Sequence, residues 1–368
     1  LQKDNLSHHS IEGALGPLFL SLEDIIPALL SDDISEREIV ELIQEISQKF
    51  TTQRNQIEDY VNEERRVSAY ASFYMPTNMP KLYFLLNKLS TEIQTDLLKR
   101  PFIDYGCGPG TFSLAMSLMA PNTDRTYYCI DSSKLMLKQA QNLFNHLSPS
   151  SKVSFTSRYV ETNKESILFF GHSINEFGNK KMEDLVATIQ PAYVIYIEPG
   201  TSKLFNDIKR IRESLLGSYD ILYPCQSSEQ CPSSWCHQVL RMTHEPSIER
   251  LSQLVRLDRK VQPLVAHLYI RKDLNRLNSL KKNENEYIDG TIIRYLAETK
   301  FSFEYEVCLV QAGKNVNQRI EFMKKELTKA QEKFFKNSDV GEKIQFKVIK
   351  EIDKKWRVSL NLEGKGDE

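Results

Sequence analysis

The chain has 368 residues, 40% of them apolar and 26% charged, with a formal net charge of −1. This length suits two or three packed units, and the composition excludes a collagen-like, fibrous or wholly disordered chain. No run reaches the ~18 uninterrupted apolar residues of a bilayer span, and near-neutrality excludes a global field that would draw the whole molecule onto nucleic acid or anionic lipid.

Residues 1–100 read as an N-terminal helical region that is also acidic, with twelve Asp/Glu against four Lys/Arg in the first sixty positions. Ser35-Glu36-Arg37-Glu38 is a capping box ahead of Ile39, Leu42, Ile43, Ile46 and Phe50, spaced by three and four. Leu82–Leu89 and Thr91–Lys99 continue the helical pattern up to Pro101.

From Pro101 the texture changes to short apolar runs alternating with amphipathic segments, the pattern of a mostly parallel sheet with crossover helices. Strands are predicted at Phe102–Tyr105, Thr126–Ile130, Val153–Phe155, Ile167–Gly171, Tyr193–Ile197 and Asp220–Tyr223. Helices are predicted at Thr111–Met119, Ser133–Phe144, Lys181–Thr188 and Lys203–Leu216. Residues 101–224 are therefore expected to form a doubly wound α/β core.

The alternation ends at Pro224. Residues 225–313 form a Cys/Arg-rich insertion with strand-like runs at Leu264–Ile270, Thr291–Tyr295 and Phe303–Val310. In residues 314–368, Lys314–Phe335 is predicted as one charged helix, and Ile344–Ile352 with Lys355–Leu362 as a closing hairpin.

Asp104-Tyr105-Gly106-Cys107-Gly108-Pro109-Gly110-Thr111 ends the first predicted strand and opens a helix. Alternate glycines let the backbone turn sharply and approach a ligand, with helix N-terminal N–H groups facing it. A dinucleotide fingerprint would want Gly or Ala where Thr111 stands. The DxGxGxG spacing resembles instead motif I of class I S-adenosylmethionine-dependent methyltransferases. That resemblance implies cofactor binding by Asp104, Gly106, Gly108 and Gly110, with Asp131, at the end of the second strand, taking the ribose hydroxyls. A carboxylate accepts from two vicinal donors. No catalytic residue is assigned. His172 stands alone at a strand end, where a histidine is more often a packing residue, and Glu198-Pro199-Gly200 can equally shape a cleft floor.

Cys225, Cys231 and Cys236 crowd into twelve residues. Crowded thiolates repel unless a cation neutralises them, so the cluster reads as a metal site or as chance. A closed site needs a fourth ligand. Cys308 would supply it if the strand Phe303–Val310 paired with Asp220–Tyr223, since methyltransferase sheets commonly end in such an antiparallel pair; His237 is the rival.

Tyr223-Pro224-Cys225, Cys231-Pro232 and Trp235-Cys236-His237 with Arg241 resemble the signature of the ribosomal small-subunit methyltransferase-like family, which comprises mitochondrial small-subunit assembly factors and bacterial relatives. Ser68-Ala69-Tyr70-Ala71 with Met75-Pro76, Ile174-Asn175-Glu176 and Glu198-Pro199-Gly200-Thr201 also match, so the resemblance runs from about residue 60 to 315. It implies a 4Fe-4S cluster on Cys225, Cys231, Cys236 and Cys308, with zinc as the alternative. The loop from Cys231 to Cys236 is shorter than in the mitochondrial members, and the tail is charge-mixed rather than basic.

Arg241–Lys282 holds ten Lys/Arg against four acids. Its arginines suit bidentate phosphate contact, and with the resemblance they mark small-subunit ribosomal RNA as the expected partner. The fold class expected is α/β: a class I methyltransferase, Rossmann-like doubly wound sheet with an N-terminal helical region and a Cys-rich metal-binding insertion. The expected function is an S-adenosylmethionine-binding, iron-sulfur protein of small-subunit assembly. Non-catalytic RNA binding, or a small-molecule or protein methyltransferase with structural zinc, are the alternatives. The expected location is the cytoplasm, with the mitochondrial matrix as alternative.

Overall fold

A computed structural model describes residues 19–52, 62–121, 123–159, 161–225, 227–275, 287–337 and 340–361. The chain divides into two units. One comprises Leu1–Phe102, Gly108–Ser157 and Glu245–Val255; the other comprises Ile103–Cys107, Arg158–His244 and Arg256–Glu368.

In the first unit, α1 (Leu22–Ile25), α2 (Glu36–Thr52), α3 (Glu64–Asn78), α4 (Pro80–Leu86) and α5 (Thr91–Leu97) precede the first strand, as the helical pattern predicts. Ser35 caps α2 by accepting from the Glu38 N–H at 3.2 Å, while the Glu38 carboxylate accepts from Arg65 at 2.8 Å. Both arms of a capping box form at Ser21 and Asp24 instead. The acidic surplus is met inside the unit: Asp33 pairs with Arg65, Glu45 with Arg66 and Glu36 with Arg250. Helix α3 is buried over most of its length, which is why its sequence shows little amphipathic contrast.

The same unit holds α6 (Thr111–Met119), β2 (Thr126–Ile130), α7 (Lys134–Leu147) and β3 (Lys152–Thr156). Strands β2 and β3 are parallel neighbours. Helix α7 starts where Ser133 accepts from the Met136 N–H, and it buries Met136, Ala140, Leu143 and Phe144 at helical spacing.

The second unit carries β1 (Phe102–Tyr105, which begins at the boundary residue), β4 (Ile167–Gly171), α8 (Ile174–Ile189), β5 (Tyr193–Pro199), α9 (Ser202–Leu215), β6 (Tyr219–Tyr223), β7 (Gln238–Arg241) and β8 (Val261–Arg271). Helix α10 (Pro246–Val255) belongs to the first unit. The strand order here is β1-β4-β5-β8-β6. Strand β4 runs parallel to β5, whereas β8 is antiparallel to both β5 and β6. An antiparallel strand inserted between the fifth and sixth strands is the sheet ending expected of a class I methyltransferase, so the core is Rossmann-like.

That inserted strand is β8, not Phe303–Val310. Leu264 to Ile270 are buried without a break, as a strand enclosed on both faces requires. The Phe303–Val310 segment lies in β10 (Ser302–Gln311), part of a closed five-stranded barrel with β9 (Ile288–Glu298), β11 (Lys314–Met323), β12 (Lys343–Ile352) and β13 (Lys355–Asn361). Lys314–Phe335 is likewise not one helix. Its first part is β11, paired with β10 along ten residues, and only α11 (Lys329–Asn337) is helical. Charged residues misled here because β11 turns Ile320 and Phe322 into the core and Arg319 and Glu321 to the opposite face, where Arg319 is exposed and Glu321 is buried under its ion pair with Arg357. The hairpin of β12 and β13 forms as predicted; Leu362 lies outside the described residues.

Among the described residues, no helix is long and apolar enough to cross a membrane.

Candidate functional site

The glycine loop leaves β1 with φ of +76° at Gly106, +54° at Gly108 and +77° at Gly110, a left-handed path open to glycine. A Cβ on Gly110 would lie 3.2 Å from Ala140 Cβ, so α7 packs directly against the turn. A Cβ on Gly108 would meet nothing within 4 Å. The backbone there is exposed to space that a ligand can use.

Asp131 fixes this backbone. Its Oδ2 accepts from the Gly108 N–H at 2.9 Å and its Oδ1 from the Ser133 N–H at 2.8 Å. Burial raises its carboxyl above the ordinary value, against the lowering by these two N–H groups. Each carboxylate oxygen keeps a lone-pair site for a hydroxyl donor. Gly108, Gly110 and Asp131 are thus brought together in the first unit, while Asp104, fully buried, and Gly106 belong to the second.

The two residues left open as catalytic have structural work. Glu198 Oε1 accepts from the N–H groups of Ser173 and Ile174, holding the start of α8, as a carboxylate at a helix N-terminus should. His172 sits at φ +59°, its N–H on the Ile197 carbonyl.

The three clustered cysteines lie on the excursion between β6 and β7, and both strands pair with β8. Tyr223 is opposite Leu268 and Gln238 opposite Leu264, so the excursion leaves and returns four residues apart on one strand. In that gap the Gln238 side chain accepts from the Ala266 N–H at 2.7 Å. Cys225 and Cys236 each stand two residues from these anchors.

Cys308 arrives by another route than the one expected. Its cross-strand neighbours are Asn317 on β11 and Thr291 on β9. Thr291 donates to the Pro224 carbonyl, and Asn317 accepts from the Ser233 hydroxyl. Asn315 donates to the Glu229 carbonyl at 2.7 Å and accepts from Ser227. The strands flanking Cys308 therefore grip the cysteine excursion.

Electrostatics register the result. Burial pushes the Cys236 thiol well up, and the charges of Cys225, Cys231 and Cys308 push it further. Burial, then Cys225 and Cys231, raise Cys308 to about 12. Cys225 is raised by burial and relieved by Arg212. Among the described residues, however, no group of three or more His, Cys, Asp or Glu side chains is arranged to hold a metal ion. The four thiols are electrostatic neighbours, not a formed ligand set. The rival ligand, His237, lies tilted against Trp235 with ring centroids 5.0 Å apart, and burial lowers its pKa.

Sequence reasoning missed Arg212, whose side chain is only 1% exposed. It donates to the carbonyls of Ser227 and Glu229 from the apolar stripe of α9, beside Leu204, Ile208, Ile211 and Leu215. An arginine on that stripe was the available signal. The Asn315 and Asn317 clasp gave none.

Several cations of the basic stretch are held by local partners. Arg250 pairs with Glu36 in the first unit. Arg271 is committed to Asp273 and the carbonyls of Lys164 and Gln190, and Lys272 to those of Leu216 and Gly217 at the end of α9. Arg276, Lys281 and Lys282 lie outside the described residues.

Several solved methyltransferases are similar at low identity. Magnesium protoporphyrin IX methyltransferase from Synechocystis, with bound SAH, is 12% identical over 64% of this chain and 100% of its own, at a TM-score of 0.31. The tRNA m1G37 methyltransferase of M. jannaschii is 12% identical over 53% and 50%, at 0.32. Precorrin-6y C5,15-methyltransferase from Geobacter metallireducens is 11% identical over 52% and 88%, at 0.34. The strand order, not these likenesses, carries the fold. No curated protein sequence matches. Residues 64–272, more than half of the chain and including α3, the glycine loop, Asp131 and three of the four cysteines, match the family described as mitochondrial small ribosomal subunit Rsm22, and the chain belongs to that family.

Proposed function

We propose that the protein binds S-adenosylmethionine and carries a four-cysteine iron-sulfur site, and that it works on RNA of the small ribosomal subunit. The observation that carries the cofactor reading is the Gly108 N–H to Asp131 bond, which holds the acid at the open edge of the glycine turn. Bound S-adenosylmethionine supplies a methyl group on an electrophilic sulfonium. Gly106, Gly108 and Gly110 would admit its methionine part and Asp131 its ribose.

The chemistry of the donors, though not their present arrangement, suits a cluster. Cys225, Cys231, Cys236 and Cys308 are four soft ligands whose charges act on one another, with the buried Arg212 guanidinium beside Cys225 to offset negative charge. Such thiols ionise together only when a cation offsets their repulsion, so loading is expected to release protons. The family description names the mitochondrial small subunit, which favours the matrix over the cytoplasm as the place of work.

Anaerobic purification followed by iron, acid-labile sulfide and zinc analysis tests the metal; colourless protein with stoichiometric zinc rejects the cluster. Calorimetric titration with S-adenosylmethionine tests the pocket. Incubation of immature small subunits with methyl-labelled cofactor tests transfer. A second reading, RNA binding without methyl transfer, is favoured by Glu198, whose Oε1 holds α8. Cofactor binding with unlabelled RNA would establish it.

A further inference from the structure

The family match stops at residue 272 and leaves the barrel unassigned. Its connectivity is informative. Around the barrel the order is β10-β11-β13-β12-β9, with β11 and β13 parallel, the other neighbours antiparallel, and α11 between the third and fourth strands. Counting from β9 this is 1-2-3-5-4-1, the arrangement of an OB-fold, whose second and third strands form the face that takes oligonucleotides or oligosaccharides. Two register shifts in β9 against β10 supply the curvature that closure needs.

Half of that face is already covered. Asn315 and Asn317 project from it onto the cysteine excursion. The other half is open and carries charge in two layers. Arg294 is 53% exposed over Glu306 at 20%, and Arg357 is 32% exposed over Glu321 at 10%. Arg319, between them, is exposed. The acids brace the bases from below, so cations meet the solvent. The turn from β9 to β10 ends this row with Phe301, 63% exposed, and Lys300 Nζ 5.5 Å from its ring centroid.

We infer that the open half of the β10–β11 face, with the β9–β10 turn, binds single-stranded RNA. Arg294, Arg319 and Arg357 take backbone phosphates, and Phe301 stacks a base. A duplex offers no unstacked base to Phe301. Because the cysteine excursion covers one half, the footprint falls toward the lower end of the ~4–16 nucleotides an OB-fold spans. The inference rests on the small-subunit RNA reading in choosing RNA, and it locates the contact outside the Arg241–Lys282 stretch.

The test is fluorescence anisotropy of the full chain with labelled twelve-residue oligouridylate, single-stranded and annealed to oligoadenylate. Wild type is expected to prefer the single strand and to weaken as salt rises. The double variant Arg294→Ala/Arg319→Ala is expected to bind about tenfold more weakly with a shallower salt slope. Phe301→Ala is expected to lose roughly fivefold with the slope unchanged. Both should keep wild-type affinity for S-adenosylmethionine, which shows that they fold. Variants that bind oligouridylate like wild type overturn the inference, as does wild type binding maltohexaose in its place. Co-sedimentation with isolated small subunits reads the underlying function separately. If it persists while oligouridylate binding is absent, the barrel inference alone falls; if both are absent, both fall.

Discussion

Arg212 donates from Nη2 to the Glu229 carbonyl at 2.6 Å, so a buried guanidinium on α9 holds the excursion that carries three of the four cysteines. The same nitrogen also serves Ser227. Replacing it with Arg212→Leu leaves both carbonyls short of a donor. The expected cost is about 3 kcal/mol, from two hydrogen bonds with a charged partner, read as a lowered urea midpoint with unchanged slope. A loss below ~0.5 kcal/mol would show that the excursion holds itself.

Asp131→Asn keeps the side chain's shape but retains one oxygen where two N–H donors now converge. One of the Gly108 and Ser133 N–H groups then faces an amide NH2. Affinity for S-adenosylmethionine should fall about tenfold or more, consistent with ~1.5–3 kcal/mol for a charged hydrogen bond. Titration calorimetry measures it, and unchanged affinity would remove Asp131 from the pocket.

Gly110→Ala puts a Cβ at φ +77°, 3.2 Å from Ala140 Cβ. The left-handed conformation alone costs roughly 1–2 kcal/mol for a residue with a Cβ, and α7 must also give way. A lower melting temperature is expected, together with weaker cofactor binding because Gly108 moves with its neighbour.

His267 is buried against Tyr196 and Tyr269, its Nδ1 2.9 Å from the Tyr269 hydroxyl. Burial, reinforced by the charge of Arg212, lowers its pKa to about 3. The unfolded chain takes up this proton near pH ~6.5 and the folded one does not. The stabilisation is therefore complete above about pH 6.5 and is lost progressively as pH falls toward 3, by about 5 kcal/mol at most. His267→Gln should flatten the acid limb of stability against pH over this window. Parallel curves for the two proteins would count against the assignment.

Cys308→Ser leaves three thiols and a poorer fourth ligand. Bound iron, or zinc if zinc is the metal, should drop well below one site per chain, whereas a control at Cys129, buried on β2 of the other unit, should keep its full metal content.

The sequence made the Rossmann-like core legible because β1, β2, β4, β5 and β6 are short, mostly apolar runs bounded by turns, and α7 and α9 carry their caps at Ser133 and Thr201. The barrel was not legible. Strands β9 to β11 interleave charged and apolar residues, so Lys314–Phe335 shows enough lysine and glutamate to pass for a solvated helix, and closure depends on pairings such as β9 with β12 across more than fifty residues. The route of Cys308 was hidden for the same reason. Its neighbours Thr291 and Asn317 become neighbours only when the barrel closes.

Every strand of the open sheet is complete by Arg271, yet Cys308, Thr291, Asn315 and Asn317 all come later. A proteolytic fragment or engineered truncation ending there would keep the doubly wound scaffold intact while stripping away one thiol and the amides that hold the other three in place. A single cut thus separates the doubly wound scaffold from the thiol cluster, and a chain that lost the barrel would lose the fourth thiol and the clasp on the other three together.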